Sequence, residues 1–328
     1  MYLKLLIFQL LTFCNNCIIY SINIKFEKGD LIMENIQDKK WYDNVLWICI
    51  ISYAIIYITQ NVGGWITPKL VRFLFTSGLL KANEYTYTFL MYILFIYIWI
   101  VVFFVIFIFK NNHYIIDKIT TKSKENNIAY LFLGLLIGLV LNGFCALIAM
   151  INGDFTLRFS QFEISPAIGL LFAVFVQSSA EEVLCRGFMY QRLLKSTNSP
   201  AFAIIFNSLF FAALHLFNNG MSILPFYCIL IFGVLTSMIV YYFDSLWMVM
   251  GLHAMWNFTQ SILFGLPNSG INVPYSIFKI GGSVKGSFAY NPTFGLEGTI
   301  LSSILMTICC LALYLWKSKK NKEEVVLN

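Results

Sequence analysis

The feature that most constrains this chain is a series of apolar runs, each near 20 residues, that recur along its whole length and are parted by short polar breaks. A run of that length crosses about 30 Å of hydrocarbon as a helix. Inside a bilayer the backbone must satisfy its own hydrogen bonds, which leaves helices or closed barrels. A transmembrane barrel needs strict apolar–polar alternation, and these runs have none. The expected class is therefore all-α, a polytopic transmembrane helical bundle of about eight spans. Composition agrees: 59% of the 328 residues are hydrophobic and 12% charged, about half the charged fraction of a soluble domain.

The expected spans cover 43–62, 86–109, 129–151, 166–194, 200–217, 221–241, 245–263 and 296–316. Ser165-Pro166 and Ser199-Pro200 each offer an N-cap hydroxyl followed by proline at the first helical position. Asp244-Ser245 can cap the seventh span, and Asn218, Asn219 and Gly220 break the chain between the fifth and sixth. Residues 1–42 form an N-terminal extension, 43–165 the N-terminal transmembrane helices, and 166–263 the helices that carry the polar residues discussed below. Residues 264–328 supply an external loop, the last span and a basic tail. Within the extension, the apolar stretch 2–24 reads equally as a signal-like segment, as a further span, or as sequence preceding a start at Met33.

The net charge of +6 comes from lysines that flank the spans, which suits an anionic lipid surface and gives no reason to expect nucleic acid. Most of the basic residues fall on one side of an eight-span layout, in the N-terminal tail, the 110–128 loop, the Arg192–Lys195 turn and the C-terminal tail. The positive-inside rule then places both ends of the eight-span unit in the cytoplasm of a multi-pass cell (plasma) membrane protein, with 264–295 outside. The eight cysteines lie mostly inside apolar runs, where a thiol behaves as a small hydrophobe, so no disulfide framework is read. Cys14-Asn15-Asn16-Cys17 carries little weight as a redox or zinc site, and Ile18 after it argues against haem attachment.

Ionisable groups inside a span cost on the order of 2.5–3.5 kcal/mol each, so each needs a reason. The fourth span holds Glu181, Glu182 and Arg186, and two of the three histidines, His215 and His253, lie in the fifth and seventh with Asn207 and Asn257. Glu182 and Arg186 are i, i+4 and can pair, with Ser178 extending their face. Glu181 is rotated about 100° away and shares its face with Gln177 and Cys185. It is expected to stand unpaired, and a buried carboxylate without a cation suits a general base. Counting about 1.5 Å per residue from the cytoplasmic turns brings Glu181, His215, His253 and Asn257 to similar depth, with the site accessible from the cytoplasm. Asn207 is expected to make an interhelical hydrogen bond.

Carboxylate, imidazole and amide groups at one depth can hold a water and polarise a carbonyl, which is amide hydrolysis. Two versions stay open. In one, Glu181, His215 and His253 bind a divalent metal such as zinc, leaving a position for water. In the other, no metal is needed: Glu181 and His215 activate the water while His253 and Asn257 stabilise the oxyanion.

These residues resemble the motifs of the CPBP (CAAX-protease and bacteriocin-processing, or Abi) family of intramembrane proteases. Glu181-Glu182-Val183-Leu184-Cys185-Arg186 looks like its E-E-x-x-x-R motif, Phe211-Ala212-Ala213-Leu214-His215 its F-x-x-x-H, and His253-Ala254-Met255-Trp256-Asn257 its H-x-x-x-N/D. Each motif is weak alone; the three in order, each on an expected span, are specific. The resemblance covers residues 166–263. It implies an intramembrane endopeptidase with Glu181 as the water-activating carboxylate and His215 its partner. Glu182 and Arg186 would support the site, and His253 and Asn257 would bind metal or stabilise the oxyanion. It also implies membrane-associated peptides or proteins as substrates, in CAAX-type processing or bacteriocin-related processing and immunity. The rival classes are a non-catalytic immunity or scaffold protein and a proton-coupled transporter. No inverted repeat or pair of broken helices supports the transporter.

Overall fold

The computed structural model describes residues 26–27, 30–31, 40–123 and 125–327, with side chains from 40 to 318. The apolar stretch 2–24, Met33, Cys14 and Cys17 lie outside the described residues. Strands β1 (Phe26–Glu27) and β2 (Asp30–Leu31) pair as a short antiparallel hairpin. The bundle is built from α1 (Val45–Thr76), α2 (Glu84–Ile93), α3 (Ile96–Ile108), the short α4 (Tyr114–Ile119) and α5 (Ile128–Ile151). Then come α6 (Ile164–Glu182), α7 (Tyr190–Thr197), α8 (Pro200–Leu214), α9 (Ile223–Phe243), α10 (Leu246–Asn257) and α11 (Ile300–Leu327). A π-helical stretch, Val183–Met189, joins α6 to α7, and another, Phe258–Leu263, extends α10.

The chain is a multi-pass, all-α membrane protein. Each expected span corresponds to a helix or a continuous helical run, and six of them are long and apolar enough to cross a membrane. The other two are α8, with 15 residues, and α10 with its π-helical extension. Two boundaries that involve a proline differ from expectation. The first span continues through Pro68 to Thr76; that proline gives up one hydrogen bond without ending the helix. The fourth begins at Ile164 behind Glu163, so Pro166 takes the third helical position, not the first. Its missing N–H costs nothing there, because amides of the first turn have no intrahelical acceptor. Ser199 and Ser245 cap α8 and α10 as expected, accepting from Phe202 N and Met248 N, each at 3.3 Å.

The tightest packing is between α5 and α10. A Cβ added to Gly134 would lie 2.0 Å from the Met248 carbonyl oxygen, and one at Gly138 would lie 2.3 Å from that of Leu252. From the other side, Gly251 leaves space for the Leu131 carbonyl. This small-residue seam lets two backbones touch, as in membrane helix pairs generally, and it fixes the helix that carries His253 and Asn257.

The two ends of the bundle are closed differently. At the lysine-rich end, Arg192 bonds the Tyr42 carbonyl, and Lys118 pairs with Asp244 at 2.8 Å. Asn126 caps α10 by accepting from Leu246 N at 2.8 Å and Trp247 N at 3.1 Å. At the opposite end the 264–299 segment folds over the helices. Its strand β4 (Phe278–Gly281) pairs antiparallel with β3 (Thr156–Phe159), Arg158 opposite Lys279. Asn218 donates to the Ser269 carbonyl at 2.8 Å, and Ser287 to the buried Asp154 at 2.6 Å. The alternation expected of a sheet is too short in these four-residue strands to read from the sequence.

Candidate active site

Three helices and a π-helical turn meet around Glu181 and Glu182. The i, i+4 spacing of Glu182 and Arg186 brings carboxylate and guanidinium to 3.1 Å, both fully buried. Two buried charges need more partners than each other, and they have them. Arg186 also donates to the Gly233 carbonyl of α9 at 3.3 Å and lies 4.3 Å over the Phe211 ring of α8. Gly233 admits this contact, because a side chain there would meet Ser208 and the guanidinium itself. The π-helical geometry begins directly after Glu182; such local widening of a helix is frequent at functional sites.

Glu182 has a second partner that spacing alone did not reveal. His253 Nδ1 lies 2.8 Å from Glu182 Oε1, the oxygen that also receives Arg186. The other ring nitrogen, Nε2, faces Glu181 Oε2 at 3.9 Å. His253 therefore sits between two carboxylates, walled by Phe232 and Phe211 at ring-centroid distances of 5.2 and 6.1 Å.

Glu181 does not stand unpaired, contrary to expectation. Gln177, one turn earlier on the same face, donates to its Oε1 at 2.6 Å. Asn257 in turn donates to Gln177 Oε1 and to Ser178 Oγ, each at 3.1 Å, and Ser178 donates to Gln177 Oε1 at the same distance. Glu181 keeps 16% of its side chain exposed, while its neighbours are nearly closed off.

His215 is placed differently from the rest. It is the first residue past α8, with Nδ1 3.0 Å from the Phe211 carbonyl and its ring 5.0 Å from the Phe211 ring. Phe211 thus touches Arg186, His215 and His253 and ties the second motif to the other two. A carbonyl can only accept, so Nδ1 carries the proton and Nε2 is left with a lone pair in the neutral ring. Asn207 bonds Ser237 across α8 and α9 at 3.0 Å, the interhelical bond expected of it.

The structure brings Glu181, Glu182, Arg186, His253 and Asn257 into one cluster of two hydrogen-bonded groups, Glu182 with Arg186 and His253 and Glu181 with Gln177 and Asn257, which face each other across 3.9 Å, and His215 is joined to it through Phe211. Sequence reasoning missed Gln177 as a partner of Glu181; the signal was its i, i+4 relation to that residue. It also missed Glu297, a buried carboxylate just before α11. Glu297 accepts from Gln260 Nε2 at 2.5 Å and from Ser269 Oγ at 2.7 Å, and so fastens the 264–299 cap to the end of the π-helical extension. Among the described residues no three or more His, Cys, Asp or Glu side chains are grouped to hold a metal ion. His253 Nδ1 rests on Glu182 and His215 Nδ1 on a carbonyl, the outer partners that a metal-bound histidine keeps, and His253 Nε2 faces Glu181 at 3.9 Å, so Glu181, His215 and His253 would have to draw together to hold an ion.

Residues 163–259 match the family model described as Type II CAAX prenyl endopeptidase Rce1-like. The match runs from the N-cap of α6 into the second π-helical stretch and contains every ionisable residue of the cluster. No curated protein and no solved structure matches the chain.

Proposed function

We propose that this chain is a CAAX-type intramembrane endopeptidase that hydrolyses peptide bonds of membrane-associated proteins or peptides with a water activated by Glu181. The observation that carries the reading is the placement of Glu181 Oε2 opposite His253 Nε2 at 3.9 Å, inside a segment that matches an endopeptidase family. That separation is too long for a direct hydrogen bond and lets one water touch both groups.

Glu181 takes a proton from this water, and the hydroxide attacks the scissile carbonyl carbon. Glu182 holds His253 through Nδ1 and fixes its orientation. With a second proton on His253, the two carboxylates are balanced by Arg186 and the imidazolium, and Nε2–H faces the developing oxyanion. The protonated Glu181 then returns its proton to the leaving amine as the C–N bond breaks. His215, packed on the Phe211 ring with Nε2 left to accept, is assigned as the second base. Membrane lipids surround the bundle, and the lysine-rich end is assigned to the cytoplasm by its charge.

The test is cleavage of a farnesylated peptide ending in a CAAX-type sequence by the purified protein, beside Glu181→Gln and His215→Ala, with and without chelator. Loss of cleavage in both variants is expected. Cleavage that persists in Glu181→Gln overturns the assignment of the base. Loss on chelation with rescue by zinc would instead favour the metal version, with Glu181, His215 and His253 rearranged as ligands. An inert wild type whose variants behave alike favours the scaffold.

A further inference from the structure

We infer that Gln177 is a positioning residue for the reaction, orienting the Glu181 carboxylate, and that Asn257 acts on that carboxylate through it. The inference rests on the endopeptidase reading above and deepens it.

Every donor and acceptor between the two helices runs in one direction. Asn257 Nδ2 on α10 donates to Gln177 Oε1 at 3.1 Å, and Gln177 Nε2 donates to Glu181 Oε1 at 2.6 Å. Ser178 closes the chain, accepting from Asn257 and donating to Gln177 Oε1, each at 3.1 Å. Turning the Gln177 amide over would set its oxygen against the carboxylate and its NH2 against that of Asn257, so the orientation shown is favoured over its flip. Aligned hydrogen bonds in a water-poor interior polarise one another. Here they end on one carboxylate oxygen.

The consequence is geometric. Glu181 is the most exposed member of the cluster, and a glutamate side chain has three rotatable bonds. With Oε1 held by Gln177, Oε2 is the oxygen left facing His253 Nε2 at 3.9 Å. Both polar atoms that the Asn257 amide nitrogen reaches, Gln177 Oε1 and Ser178 Oγ, lie on α6 at 3.1 Å. Asn257 is buried, and its amide NH2 donates once to Gln177 and once to Ser178. A base misplaced by about 1 Å loses on the order of 10²-fold in rate.

Gln177→Met keeps the length and bulk of the side chain and removes all three of its hydrogen bonds. In the full-length protein, assayed on the farnesylated CAAX-type peptide, this variant should lose on the order of 10²-fold in kcat with KM little changed. Asn257→Ala should cost a similar factor alone and less than about twofold more in the Gln177→Met background, since both act on one carboxylate. Wild-type kcat in Gln177→Met overturns the inference. So does an Asn257→Ala loss that is the same in both backgrounds, which would mean that Asn257 does not act through Gln177. A second readout needs no turnover. The infrared carboxylate band that disappears in Glu181→Gln should shift in Gln177→Met and again in Asn257→Ala; an unmoved band overturns the proposal. Should Glu181→Gln cleave as wild type, the endopeptidase assignment of Glu181 fails, and this band alone decides whether Gln177 and Asn257 orient it.

Discussion

His253 Nδ1 and Glu182 Oε1 lie 2.8 Å apart, although 71 positions separate them in the chain. The same oxygen receives Arg186. Glu182 is thus the hinge between a pair local to one helix and a contact across the bundle.

Removing Glu182 should therefore harm stability more than removing Glu181. Glu182→Ala leaves a fully buried guanidinium without its carboxylate, a loss of about 3–5 kcal/mol. The double variant Glu182→Leu with Arg186→Met replaces the pair by apolar bulk and should regain much of that stability while remaining inactive. Unfolding in detergent against increasing denaturant, run beside the cleavage assay, separates the two effects; a double variant less stable than Glu182→Ala would contradict this account.

The glycine seam between α5 and α10 makes a second prediction. A methyl group at Gly134 would stand 2.0 Å from the Met248 carbonyl oxygen, so α10 must move outward. Gly134→Ala should cost at least about 1–3 kcal/mol and should lower kcat as well, because α10 carries both His253 and Asn257. Wild-type melting and turnover in this variant would show that the seam is not tight.

Glu297 gives a pH dependence. Burial raises its carboxyl above the ordinary value of 4.5, against the opposing pull of donors from Ser269, Gln260 and Trp256. The folded chain then binds this proton more tightly than the unfolded chain does, so the group's contribution to stability falls as pH rises from about 4.5 through its raised value. The melting temperature of wild type relative to Glu297→Gln should decline from about pH 4 toward about pH 8. An increase over that range would reverse the sign.

Orientation can be read by labelling. Ser283 lies in the exposed turn after β4, at the end of the bundle opposite the lysine-rich loops. With that end outside, Ser283→Cys should react with a membrane-impermeant maleimide on intact cells. Labelling only after permeabilisation would invert the topology.

Much of this arrangement was legible in the sequence because it is local. The i, i+4 relation of Glu182 to Arg186, the serine caps at Ser199 and Ser245, and the order of the three motifs need only helix geometry. Gly134-x-x-x-Gly138 was equally open to reading as a close-packing seam. What spacing could not supply was the pairing of faces. His253 turned toward Glu182, and Asn257 toward Gln177, because α10 is pressed into α5 and α6 at a rotation that packing sets. The unpaired state expected of Glu181 failed for a nearer reason: Gln177 sits one turn away on the same face. Strand β4 was hidden in the 264–295 loop, whose glycines and prolines signal turns more strongly than sheet, β3 in the short connection before α6, and the Glu297 anchor at the start of the expected last span.

The Glu182–Arg186 pair has a consequence for biosynthesis. The helix that bears it is synthesised before α10, so at that stage His253 is not there to assist. An ion pair closed within a single turn lets that helix insert with its charges matched from the start. Glu181, whose proposed work needs the later helix, stays inert on the nascent chain. Such a protein would leave the ribosome as a harmless membrane insert and become hydrolytic only once its seventh span had been threaded into place.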